Sequence, residues 1–224
     1  MRIAFYFKTV NLLRVVLHLQ TSVAEAATPR DTADYPADPR PVVVEFFQHI
    51  RAADAEAAWK CWDSTVGKGE DKKYEATQVR NAIAHWIAQF RLEQTLEKKL
   101  PQLYDKMKTD GTLTPTPEQI ANAKFTTFRR LAIIRWDDDE DAGLPLELDT
   151  SAKSPRWLIS LSHYRETTRA SVGDSFRATN ITARAIDEVT KDVLHGKVKT
   201  SADLADAQMR HLDEQLKKLP KPKE

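Results

Sequence analysis

Between Glu75 and Met107 apolar side chains recur with helical spacing, and no other stretch limits the fold of this chain as tightly. Val79, Ile83, Trp86, Ile87 and Phe90 make one stripe, and Leu96, Leu100, Leu103 and Met107 extend it after a slip in phase. A stripe that long cannot be hidden by the helix itself, so the rest of the chain has to pack against it. Pro101 lies inside the pattern. It has no N–H for the preceding turn, so the spacing predicts either one bent helix or two helices meeting there. Glu93, Glu97, Lys98 and Lys99 read as a solvated face, and His85 as a wet flank.

Local start and stop signals place the other helices. Val43, Phe46, Phe47 and Ile50 share one face of a helix from about Pro41 to Ala52, and Asp54 then caps a second helix over Ala55 to Trp62. Thr116-Pro117-Glu118-Gln119 has the order of a capping box and opens a helix reaching about Lys124. Two more helices follow. One runs from about Phe176 to Leu194 and stops at Gly196, and the other runs from Ser201 to about Leu219, with Leu204, His211, Leu212, Leu216 and Leu219 inward. Two segments read as strands, Thr126 to Trp136 and Arg156 to Thr168, which could pair across an acidic connection. A wider sheet would draw its further strands from 64–74 and 142–155. The expected class is α+β and helix-rich, with helices packed on a small antiparallel sheet that a cone-shaped form would also accommodate.

Composition narrows the functional classes. The chain has 224 residues, 41% hydrophobic and 30% charged, enough for one domain with a real core. A formal charge of +1 gives no general attraction to nucleic acid. Six glycines and the absence of G-x-G-x-x-G or a P-loop pattern speak against a phosphate cradle. The single cysteine, Cys61, excludes an intramolecular disulfide and a cysteine-pair zinc site. It lies between Trp59 and Trp62 with no histidine nearby in sequence, which reads as a buried structural thiol.

The first 27 residues have an export pattern: Arg2, broken apolar stretches and a small-residue close at Ala24-Glu25-Ala26-Ala27. Residues 28–40 carry Pro29, Pro36 and Pro39 and read as a tether. The domain is then 41–219, with a helical insertion at about 75–124 and a disordered tail at 220–224. These readings place the protein outside the cytoplasm, periplasmic or extracellular, or in the cytoplasm if the leader is inactive. No run is apolar and long enough for a stable membrane span.

Residues 42–63, with Phe46-Phe47 on the first helix and Asp54 starting the second, resemble the opening of the nuclear-transport-factor-2-like superfamily, which includes SnoaL-like proteins. The resemblance covers about a tenth of the chain. It implies a cone-shaped α+β fold with a curved sheet around a pocket, in a group that includes isomerases, dehydratases and non-catalytic binding modules. No family catalytic Asp or His falls on a matching position.

The candidate pocket face is Trp157, Ile159, Leu161 and His163, which alternate on one side of the second strand. His163 would be the acid or base if the protein is an enzyme. The run Asp137-Asp138-Asp139-Glu140-Asp141 fails as a calcium loop, because the turn glycine and the twelfth-position glutamate are displaced. No histidine pair has metal-motif spacing, so the sequence implies neither a metal site nor a cofactor. The expectation is a non-catalytic module binding a small molecule or a protein. The alternatives are an isomerase or dehydratase using acid–base catalysis, and a helical interaction or scaffold protein. A homodimer is open, and nucleic acid is not an expected partner.

Overall fold

A computed structural model describes residues 38–63, 72–111, 113–136, 144–151, 154–160 and 172–218, with 72–75 and 172–179 as backbone only. Among them are α1 (Arg40–Arg51), α2 (Ala55–Trp59), α3 (Lys72–Lys99), α4 (Pro101–Thr109), α5 (Pro117–Ala121), α6 (Val172–Leu194) and α7 (Ser201–Lys217). The strands are β1 (Lys124–Phe128), β2 (Leu131–Arg135), β3 (Leu144–Asp149) and β4 (Arg156–Ile159). The fold is α+β and helix-rich, with one antiparallel sheet in the order β1-β2-β3-β4.

Pro101 ends the long helix rather than bending it. Leu100 leaves the helical region at φ −138°, ψ 61° and caps α4, where Pro101 occupies the first turn and needs no donor. Thr116 closes a complete capping box with Gln119, and α5 stops at Ala121, three residues before the predicted end. Gly196 carries φ +70° just after α6, the left-handed stop that a residue without Cβ adopts freely.

The strand count departs from expectation. Thr126 to Trp136 is not one strand but the greater part of a hairpin, β1–β2, turning at Arg129 and Arg130 with Phe128 opposite Leu131. Arg129 takes φ +55°, the positive first position of a tight hairpin turn, although it is neither Gly nor Asn. The partner of β4 is β3, within 142–155, rather than the Thr126–Trp136 segment. Residues 161–168 of the predicted second strand lie outside the described residues, and 72–74 are helical.

Two cores share α3. The first lies between the sheet, α1, α2, α5 and the first half of α3, around Phe46, Phe47, Val79, Ile83, Ile134 and Leu146. The second joins the last half of α3 to α4, α6 and α7 through Leu92, Leu96, Leu103, Ile186, Val189 and Leu204. The slip in phase is the point where the helix changes the side it buries. The structure corrects three surface assignments. His85 is buried, Glu93 is buried, and Leu216 on α7 is 47% exposed rather than inward.

Candidate functional site

An open groove of about 460 Å³ lies along the outer face of α3, beside α2 and α6. Its floor is Ile83, Ala84, Ile87 and Ala88, two adjacent pairs one helical turn apart on the same side of α3. The room comes from missing side-chain volume, since Ala53, Ala55, Ala84 and Ala88 line it where larger residues would fill it. Ala53 holds φ +54° in the tight joint between α1 and α2, a conformation that costs a non-glycine residue about 1 kcal/mol or more. That joint brings Trp59 against the groove.

Among the described residues, the charged groups that line it are Glu56, Arg80, Arg91 and Asp187. The Arg80 guanidinium lies 5.5 Å over the Trp59 ring, a cation–π contact that leaves its N–H donors available. At the other end Arg91 Nη1 donates to Asp187 Oδ1 at 2.9 Å and ties α3 to α6. Glu56 completes the lining. A volume of this size, with an apolar floor and a few polar groups, falls in the range of small-molecule sites.

A second, smaller cavity of about 200 Å³ opens where α1 meets β4, bordered by Glu45, Lys60, Cys61, Arg156 and Trp157. Cys61 is buried as expected, and the fold brings beside it a histidine that is not near it in sequence. Glu45, His49 and Cys61 have ligating atoms all within 4.8 Å of one another. Glu45 and His49 are one turn apart on α1, with Oε1 and Nε2 separated by 3.7 Å. Cys61 reaches them because α2 folds back after Asp54. Burial, reinforced by the Glu45 carboxylate, pushes its thiol up to about 12, so the free thiol is not a nucleophile at neutral pH.

The predicted pocket face divides. Trp157 is buried in the first core and borders the smaller cavity. Ile159 is fully buried, with its amide donating to the Cys61 carbonyl at 2.8 Å. Leu161 and His163 lie outside the described residues, as does the acidic run 137–141. Sequence reasoning missed the groove because it is defined by small residues on an outer face. It missed the Glu45–His49–Cys61 cluster because one member comes from another helix, although the E-x-x-x-H spacing within α1 is visible. Among the described residues no helix is long and apolar enough to cross a membrane. No family model matches the chain, and no curated protein or solved structure shows significant similarity to it.

Proposed function

We propose that this protein is an exported, non-catalytic binding module whose groove along α3 takes a flat apolar molecule bearing one anionic group. The observation that carries this reading is the groove itself: an alanine- and isoleucine-lined floor with Arg80 at one end. The apolar body would lie over Ala84 and Ile87, and the anion would meet the guanidinium that Trp59 holds in place. Export rests on the N-terminal charge and apolar pattern.

Anilinonaphthalene sulfonate, an aromatic anion that brightens in apolar sites, is a direct probe. Wild-type protein should bind it at one site, and Ala84→Trp, which fills the groove from an exposed position, should remove that binding. Equal fluorescence from both proteins would reject the groove as a ligand site.

The helical interaction alternative has one observation behind it. Met209 and Leu216, seven residues apart on α7, are both exposed. Two such side chains fall short of the contiguous patch of a few hundred Å² that marks a partner surface. Sedimentation of a stable dimer at micromolar concentration would restore that reading.

A further inference from the structure

We propose that Glu45, His49 and Cys61 form a zinc site with three protein ligands and a fourth position open to the cavity beside β4. The donor set is the first argument. A carboxylate, an imidazole and a thiolate are the three ligand types that Zn²⁺ accepts, and three protein ligands leave one position for water or an anion. Geometry is the second. Bonds of about 2.0–2.3 Å in a tetrahedron place neighbouring ligand atoms about 3.3–3.8 Å apart. The Glu45 Oε1 to His49 Nε2 separation of 3.7 Å already lies in that range. The whole cluster spans at most 4.8 Å, so closing it around an ion needs side-chain rotation and no backbone change.

The backbone on either side of the cluster is fixed. The His49 carbonyl accepts from Asp54 N at 2.9 Å, which locks the joint after α1. The Cys61 carbonyl accepts from Ile159 N, and the next residue but one, Asp63, donates back to Ile159 O at 2.8 Å. Cys61 is thereby pinned between α2 and the outer edge of β4. Its Sγ has only a 3.9 Å contact with the Ala57 carbonyl, too long to compete with a metal bond. Charge is the opposing consideration, because Lys60 and Arg156 line the same cavity. Glu45 and a metal-bound thiolate together neutralise a dication. The two basic side chains then favour an anionic fourth ligand over a neutral one.

An ordinary one-turn ion pair between Glu45 and His49 is the competing account of the same contact, and the test separates the two. The full chain without an affinity tag, fully reduced, is titrated with Co²⁺ as a spectroscopic substitute and then with Zn²⁺. One equivalent of Co²⁺ should produce a thiolate-to-cobalt charge-transfer band with the strong visible absorption of four-coordinate cobalt, and Zn²⁺ should abolish both. Cys61→Ser should lose the charge-transfer band. Because that thiol is buried, His49→Ala provides a second route on a solvent-facing flank and should weaken Co²⁺ binding at least tenfold, with the fold unchanged by circular dichroism. Glu45→Gln should weaken it less. A wild-type protein without the charge-transfer band, or a His49→Ala protein that titrates like wild type, would overturn the site.

Discussion

The two halves of α3 handle buried polar groups in opposite ways. In the first half, Gln78 is 1% exposed, and neither its amide nitrogen nor its oxygen has a partner. His85 follows two turns later, buried, with Nδ1 equally unpartnered. In the last half, Glu93 accepts from Thr114 N at 2.8 Å, Thr114 Oγ1 at 3.0 Å and Gln89 Nε2 at 3.0 Å. Across the second core Asp192, with 5% of its side chain exposed, receives Lys197, Arg210 and His211 at 2.6–2.8 Å and binds α6 to α7. An unpaired buried polar group lowers stability by about 1–3 kcal/mol, whereas a fully paired one gives its surroundings a unique arrangement. The last half of α3 and the α6–α7 pair are therefore held by directional bonds, and the first half of α3 chiefly by shape and apolar contact.

The largest expected effect tests whether the two cores are separable at all. All five tryptophans lie in or against the sheet-side core, so their fluorescence reports that half alone, while far-ultraviolet circular dichroism follows the helices. Leu92 is fully buried on the other side. Leu92→Ala should cost about 2–5 kcal/mol. Because α3 is common to both cores, it should lower the fluorescence and dichroism midpoints together. A tryptophan transition left at the wild-type temperature would show two independent units.

Acid should distinguish the halves next. Burial depresses the His85 pKa to about 4, below its ordinary value of 6.5. The unfolded chain then binds the extra proton, so up to roughly 3 kcal/mol of stability is lost as pH falls from about 6.5 to 4. Burial alone would raise Asp192, but the hydrogen bonds from Lys197 and His211 outweigh it and hold the carboxyl at about 2. Its contribution is lost lower, between about pH 4 and 2. It is smaller, roughly 1–2 kcal/mol, because Lys197 and Arg210 are more than half exposed and screened. Urea midpoints measured against pH should show both limbs, and His85→Leu should erase only the upper one. An upper limb that survives His85→Leu would assign it to another group.

The smallest effect has the opposite sign. Gln78→Leu replaces an unpaired buried amide with apolar volume and should stabilise the protein by about 1 kcal/mol. A loss of similar size in chemical denaturation would mean that the amide has a role in the fold.

Much of this contrast was hidden in the sequence, for physical reasons. Elements set by local chemistry were legible: the Thr116 box, the Pro101 break, the Gly196 stop and the Asp54 cap, whose side chain accepts from Ala57 N at 2.9 Å. The apolar stripes of α1 and α3 were legible too, because their period is intrinsic to a helix. The strands were not. β1 is exposed at every position, so it has no alternation of burial to display. β3 carries Pro145 between Leu144 and Leu146, a residue that argues against a strand until its neighbours are known. Glu93 read as solvent-facing because Thr114, which buries and satisfies it, lies in a connection 21 residues away. The groove floor and the Cys61 cluster depend on such distant placements as well.

The order in which the two cores are encoded has a consequence for synthesis. Among the described residues the buried sheet-side core lies between Val43 and Ile159, whereas the second core needs Ala183 to Ala207. A chain made from its N-terminus presents these sheet-side residues before α6 is free to pack against α3. During that interval Leu92 and Leu96 lack their α6 and α7 partners and have α4 and Leu113 beside them. Until residues 183–207 follow, that apolar flank is open to chaperones and to premature association.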